Sequence, residues 1–105
     1  MAKRQRATDA VRILHRRYVK EDPERTVALN AARVHAEVAR MIYELRTQAG
    51  LSQQQLAEAI GTTQSVISRL EDEEYEGHSM SMLNRIACAL NQRLTVLMAA
   101  EEPEA

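Results

Sequence analysis

Four polar side chains share one face of the segment between residues 63 and 70, and their types determine what chemistry they can do. Gln64, Ser65, Ser68 and Arg69 fall at helical spacing on that face. Such side chains can reach the edges of bases, where glutamine can pair bidentately with adenine and arginine with guanine. Each such pair is worth about 1–3 kcal/mol of discrimination between bases. The segment is therefore the first candidate for sequence readout in DNA.

A short helix at residues 53–60 precedes this segment and has clear start and end signals. Ser52 and Gln55 form an S-x-x-Q capping box, and Leu51 and Leu56 occupy the two positions of a hydrophobic staple. Gly61 follows the helix, where it can adopt the left-handed conformation that ends a helix. We expect the chain to turn sharply at this glycine.

The second helix begins at the N-cap Thr63 and ends at Leu70 or Glu71. Ala57 is small where the two helices must cross closely. Apolar residues recur where the pair has to bury its inner faces, namely at Leu56, Ile60, Ile67 and Leu70. A purely structural hairpin would supply these apolar positions, but rarely the caps, the glycine and the hydrogen-bonding face as well. The pattern therefore favours a helix-turn-helix.

Residues 51–71 read LSQQQLAEAIGTTQSVISRLE and resemble the Xre/Cro family of phage-repressor-like DNA-binding domains. The similarity extends over residues 40–90. It implies that Gln64, Ser65 and Arg69 contact bases, with Ser68 on the same face. It also implies contacts to DNA phosphates from the start of the first helix and from the turn, namely from Gln53, Thr62 and Thr63.

The resemblance further implies an ion pair between Arg46 and Glu71 that holds the second helix in place. The alternative is a loose surface pair worth at most about 1 kcal/mol. The loop after the second helix departs from the family, because relatives often carry lysine or arginine there along the DNA backbone. Here residues 71–78 read EDEEYEGH, so the loop must point away from DNA, face a basic partner or have its charge compensated.

The formal net charge of −1 conceals a segregated distribution. Residues 1–20 carry seven basic side chains against Asp9 alone, whereas residues 71–76 carry five carboxylates and no basic side chain. The tail adds Glu101, Glu102 and Glu104. A near-neutral total would argue against a nucleic-acid partner, but segregated charge indicates surfaces for different partners. The alternative is two solvated faces and a frayed tail.

A long helix is expected before the motif. Asp22 is a good N-cap, Pro23 fits the first helical position, and an apolar stripe at helical spacing continues to Gly50. This pattern predicts one helix about 40 Å long, with a break near Asn30 as the alternative.

The two ends of the chain add further elements. Residues 8–19 have the pattern of a short amphipathic helix, and Ser79 introduces a later helix with Leu83, Ile86, Ala87 and Leu90 facing inward. Residues 92–98 alternate in polarity, which predicts a strand, with a last helical turn as the alternative. A lone strand needs a partner, and antiparallel pairing with a second copy would supply one. We expect Leu94, Val96 and Met98 in that dimer interface.

These elements predict a mainly α fold. It is a phage-repressor-like helix-turn-helix bundle with an N-terminal helical extension and a short C-terminal strand that pairs across a homodimer. The expected domains are a basic helical extension at residues 1–33, a DNA-binding domain at 34–91, and a dimerisation strand with an acidic tail at 92–105.

The N-terminal extension, the run from Val38 to Arg46 and the terminal strand are similar to HigA-type antitoxins of toxin–antitoxin modules. This resemblance implies a small basic RNase toxin as partner and autoregulation of the operon. Val11, Leu14 and Tyr18 are the expected toxin contacts.

Two alternatives remain for this N-terminal segment. Its apolar side could dock on the long helix, or its basic side could bind DNA. A stand-alone phage-type repressor and an adaptor that has lost DNA binding are the alternative functions.

Composition disfavours several other classes. Three tyrosines with no phenylalanine or tryptophan disfavour a base-stacking RNA platform. The single Cys88 excludes a disulfide framework and is expected to pack, while His15, His35 and His78 lack metal-ligand spacing and are expected at the surface. We find no catalytic constellation, cofactor motif, membrane span or signal peptide. These absences and the single cysteine indicate a cytoplasmic, non-enzymatic protein, and the resemblance to phage-repressor-like domains and antitoxins implies a prokaryotic or phage origin.

Overall fold

A computed structural model describes residues 22–101 of the chain, and this part is mainly helical. It contains four α-helices: α1 at Pro23–Gln48, α2 at Gln53–Ile60, α3 at Gln64–Leu70 and α4 at Met80–Ala89. The chain divides into two compact units, one of residues 31–95 and another whose described parts are residues 22–30 and 96–101. None of the helices in the described residues is long and apolar enough to span a membrane. The predicted helix at 8–19 lies outside the described residues.

Helix α1 begins as its sequence predicts. The Asp22 carboxylate accepts hydrogen bonds from the backbone N–H groups of Glu24 and Arg25, at 3.0 and 3.4 Å. Pro23 is the first helical residue, where its missing N–H costs nothing. The helix continues through Asn30 for 26 residues, or about 39 Å. The prediction of a single long helix is confirmed, and the alternative of a break near Asn30 is wrong.

Both short helices of the motif have the predicted caps. The Ser52 hydroxyl accepts from the Gln55 N–H at 3.1 Å, and the Gln55 side chain accepts from the Ser52 N–H at 2.8 Å. Gly61 ends α2 in the left-handed conformation with φ of 75°. The Thr63 hydroxyl then accepts from the Val66 N–H at 3.4 Å and caps α3. The capping box, the left-handed glycine and the second cap are all confirmed.

The core of the 31–95 unit lies where the second half of α1 meets α2, α3 and α4. Four residues are completely buried, namely Ala39, Leu56, Ala57 and Ile67. The remaining core residues are Ile42, Ile60, Leu70, Ile86 and Leu90. All four apolar positions predicted for the inner faces of the helix-turn-helix are therefore buried, which leaves the other face of α3 free.

The C-terminal segment differs from its prediction. Helix α4 starts at its N-cap Ser79 and ends before Leu90, and Asn91 then adopts a left-handed φ of 59°. Residues 92–98 have no regular secondary structure, and no strand occurs anywhere in residues 22–101. The predicted strand is thus not formed within a single chain, because the described residues provide no neighbouring strand for its backbone groups.

The prediction that Cys88 packs in the core is also wrong, because its side chain is exposed on α4. Each residue turns a helix by about 100°, so Cys88 lies roughly 200° around α4 from the buried Ile86. Its immediate neighbour Ala87 is half-buried, which marks the edge of the packed face.

Gly61 provides a test of the turn between α2 and α3. Gly61→Ala should lower the free energy of unfolding by about 1–2 kcal/mol, because a Cβ is strained at this φ. The added Cβ would lie 3.6 Å from an Arg85 guanidinium nitrogen, an ordinary contact, so the loss reports the backbone alone. Gly61→Asn should lose less, since asparagine tolerates this conformation. Urea unfolding measures both variants, and equal stability of Gly61→Ala and the parent would contradict the role assigned to Gly61.

Candidate nucleic-acid interface

The outer face of α3 is polar, exposed and free of internal partners. Gln64, Ser65, Ser68 and Arg69 are all exposed. Their side chains form no hydrogen bond or ion pair with any other residue in the part of the chain that the structure describes. The opposite face is anchored by Ile67 and Leu70, which are 0% and 4% exposed. The helix is thus held by its apolar face while its donors and acceptors stay available to a ligand.

The residues implied as phosphate contacts already have structural bonds. The Gln53 side-chain amide is half-buried and donates to Glu71 Oε1 at 3.1 Å, which leaves its second N–H free. Thr63 is exposed but uses its hydroxyl as the cap of α3. Thr62 is half-buried in the turn. Their contacts with DNA phosphates stay predictions.

Arg46 and Glu71 are brought together in a bidentate pair. Arg46 Nε donates to Glu71 Oε2 at 2.6 Å and Arg46 Nη2 donates to Glu71 Oε1 at 2.9 Å. The third guanidinium nitrogen, Nη1, donates to the Leu51 carbonyl at 2.7 Å. The two side chains are only 9% and 5% exposed, so this is not a loose surface pair.

The Arg46–Glu71 pair links four parts of the unit. Arg46 lies in α1, the Leu51 carbonyl precedes α2, Gln53 opens α2, and Glu71 is the C-cap that follows α3. The hydrogen bonds that Arg46 donates to the Glu71 carboxylate raise the pKa of Arg46 above its ordinary value, against the opposing effect of burial. The Arg46 guanidinium also lies 5.4 Å from the centre of the Tyr43 ring. No buried side-chain nitrogen or oxygen in the described residues lacks a hydrogen bond, so the network is complete.

A family model for helix-turn-helix domains matches residues 42–97, which is more than half of the chain. The chain belongs to the Xre-type helix-turn-helix family. This is a family of DNA-binding transcriptional regulators, and α2 and α3 are its two motif helices. Neither the curated proteins nor the solved structures include a match to the chain.

The acidic loop of this helix-turn-helix protein is partly neutralised from within. Glu71 is bound by Arg46 of α1. Glu73 is bound by Arg40, which also lies in α1, with 2.8 Å between Glu73 Oε1 and Arg40 Nη2. The Asp72 carboxylate accepts from the Glu74 N–H at 2.9 Å, which holds the loop in a turn. Two of the five carboxylates in residues 71–76 are therefore paired with arginine, which accounts in part for acidic residues so close to α3.

Two contacts of this helix-turn-helix domain escape sequence reasoning. Arg40 and Glu73 are 33 residues apart, and only their position beside the Arg46–Glu71 pair could suggest that they meet. His35 and His78, expected as scattered surface residues, lie with their Nδ1 atoms 2.8 Å apart although 43 residues separate them. That expectation is wrong for this pair because the loop returns to α1. His15 lies outside the described residues.

The two arginine–glutamate pairs allow a matched test of burial. Arg46→Met should lower the free energy of unfolding by about 3 kcal/mol, because it leaves the Glu71 charge buried without its partner. Arg40→Met removes the same group from a pair whose side chains are 54% and 56% exposed, and should cost much less, because solvent screens an exposed pair. Urea unfolding of both variants tests this. Equal losses would contradict the structural role of the buried pair, and adding Glu71→Leu to Arg46→Met should restore much of the stability.

Proposed function

We propose that the protein is a sequence-specific transcriptional repressor that binds a palindromic operator as a homodimer. The observation that carries this proposal is the free outer face of α3, where four hydrogen-bonding side chains are exposed above a buried apolar face. A helix of this kind can enter the major groove with its polar side chains towards the base edges. Family membership supports DNA binding, and the repressor role is the simplest use of an operator-bound domain.

Each residue of the interface has a proposed role. Gln64 and Arg69 read adenine and guanine through bidentate pairs, while Ser65 and Ser68 make single hydrogen bonds to neighbouring bases. Gln53, Thr62 and Thr63 position the motif by contacts with phosphates. The Arg46–Glu71 pair acts indirectly, because it fixes the end of α3 and the start of α2 against α1.

We further propose that the repressor is the antitoxin of a toxin–antitoxin pair, neutralising a small basic RNase and repressing its own operon in the cytoplasm of a prokaryote. Asp72, Glu74 and Glu76 carry carboxylates that no arginine of the described residues pairs with, so the loop offers negative charge to a basic protein. Val11, Leu14 and Tyr18 are the proposed toxin contacts and lie outside the described residues. A helix-in-groove contact would suit their spacing.

Two other functions fit a helix-turn-helix domain with an acidic loop. A stand-alone phage-type repressor would use α3 in the same way without a toxin. A protein-interaction adaptor would use the loop and not α3. An adjacent reading frame for a basic RNase-like protein of about one hundred residues favours the antitoxin. Its absence favours the stand-alone repressor, and absence of DNA binding favours the adaptor.

The homodimer is proposed because one recognition helix reads only a few base pairs, so specificity needs two helices placed one turn of DNA apart. In the described part of the chain, no backbone hydrogen bond involves residues 93–98. Val96 and Met98 are 57% and 94% exposed, and Leu94 is half-buried. Antiparallel pairing of this segment with a second copy would satisfy its backbone groups and cover these side chains.

Readout by α3 can be tested on DNA that the protein itself selects. Duplexes selected from a random library by the purified full-length protein serve as the probe. Gln64→Ala and Arg69→Ala should each weaken binding about 5- to 150-fold and relax preference at one base position, because a bidentate contact is lost. Arg33→Ala removes an equivalent charge from the exposed face of α1, where it pairs with Glu37, and should leave the base preference intact. Unchanged binding of both α3 variants would refute the assignment.

The dimer proposal is tested by placing a charge in the segment 92–98. Val96→Lys should give monomers in analytical ultracentrifugation, because a lysine would be buried between the two copies. Leu97→Lys is the matched control, since Leu97 is 84% exposed and would point away from the interface in a paired strand. A dimer that survives Val96→Lys, or is lost equally in both variants, would argue against pairing through this segment.

A further inference from the structure

Two histidines connect the end of α3 to α1 in a chain of hydrogen bonds. His78 Nε2 lies 2.7 Å from the carbonyl oxygen of Leu70, the last residue of α3. His78 Nδ1 lies 2.8 Å from His35 Nδ1 in α1. The Tyr75 ring packs edge-on against His78, with centroids 5.3 Å apart. Both imidazoles are half-buried, so the contact is part of the packed structure of the 31–95 unit.

The arrangement of the two rings indicates a shared proton and not a shared metal ion. The centroids are 5.1 Å apart and the ring planes differ by 19°. The centroid separation exceeds the Nδ1–Nδ1 distance by about the radii of two imidazole rings, so the rings lie edge to edge with their Nδ1 atoms in line. A zinc ion on that line would need about 4 Å between the nitrogens, because each Zn–N bond is about 2.0 Å. At 2.8 Å only a proton fits between them.

The partners of each ring assign the protons. A carbonyl oxygen can only accept, so His78 Nε2 carries a hydrogen and donates it to Leu70. In neutral His78 the Nδ1 atom is then an acceptor, and His35 Nδ1 must be the donor. A first added proton can sit on His35 Nε2 and leaves this hydrogen bond intact, now assisted by charge. A second proton must go to His78 Nδ1, which sets two N–H groups and two positive charges head to head.

We propose that the His35–His78 pair is an acid-sensitive latch that fastens the end of the recognition helix and its acidic loop to α1. It is closed when the pair holds no extra proton or one, and it opens when the pair holds two. The unfolded chain can bind two protons in acid while the closed latch has room for one, so the stability that the latch provides rises with pH. Its effect on DNA binding rests on the function proposed above.

No neighbouring carboxylate of the described residues is placed to offset the two positive charges of the doubly protonated histidine pair. Within residues 31–95 neither imidazole forms an ion pair with a carboxylate. Glu71, next to Leu70, is occupied by Arg46, and the other tie between the loop and α1 is the exposed Arg40–Glu73 pair. The loop's other charged groups are Asp72, Glu74 and Glu76, beside the phenol of Tyr75. Free carboxylates ordinarily take up a proton near pH 4. A comparison of pH 7.5 with pH 5 therefore leaves the carboxylates of the loop charged.

The proton assignment is tested by nitrogen NMR of the imidazole rings in the full-length protein, with single histidine variants to assign the signals. At pH 7.5 we expect His78 to carry its proton on Nε2 and His35 on Nδ1. Observation of the opposite tautomer in either ring would overturn the proposal at its first step.

The latch itself is tested by amide hydrogen exchange of residues 72–78, corrected for intrinsic rates. Between pH 7.5 and pH 5 the parent should show opening about fivefold more frequent, the equivalent of one hydrogen bond. His35→Asn is the matched control, because its amide can donate to neutral His78 and, after a flip, accept from protonated His78. It has a similar helix propensity. Its exchange should be the same at both pH values. A parent that does not change, or a variant that changes as the parent does, would refute the latch.

The consequence for function is measured with the selected duplexes. The affinity of the parent for these duplexes should fall about fivefold between pH 7.5 and pH 5. The affinity of His35→Asn should fall by much less over the same change, at constant salt. Equal loss in both proteins would overturn the link between the latch and α3. If no duplex is bound at any pH, the proposed repressor function fails, while NMR and exchange still decide the latch on their own.

Discussion

The bidentate pair between Arg46 and Glu71 is the interaction on which the geometry of the motif depends. It is almost completely buried, so each charge requires the other to remain in place. Because the guanidinium also binds the Leu51 carbonyl and the carboxylate also binds Gln53, one cluster sets the spacing of α1, α2 and α3. A helix of seven residues such as α3 has little apolar surface of its own, and this cluster supplies the rigidity that the proposed base readout would require.

The acidic loop after α3 is held to α1 by ion pairs of the same kind. A run of five carboxylates after a recognition helix conflicts with a phosphate-binding surface if each is free. Two of them serve α1 instead, one in the buried cluster and one in the exposed pair with Arg40. The loop is therefore a tether from the end of α3 back to α1, and His78 adds a third tie to His35. Only the remaining carboxylates are available to a partner.

Local structure follows from the sequence because each signal acts within about four residues. The cap at Asp22, the capping box at Ser52, the left-handed Gly61 and the buried Ile67 could all be predicted from spacing and residue type. The segment 92–98 could not, since alternating polarity describes a strand only when a partner is present. The exposure of Cys88 was not predicted for a different reason. One position along a helix is enough to move a side chain off the packed face.

The sequence by itself determined the helix-turn-helix and the polar face that it presents, because caps, turn and apolar spacing are local. The long-range pair of Arg46 and Glu71 could be inferred only through resemblance to a family, and its burial was visible only in the structure. The meetings of Arg40 with Glu73 and of His35 with His78 were decided by tertiary structure alone. These residues are brought together by the return of the loop to α1, and no pattern within either segment encodes that return.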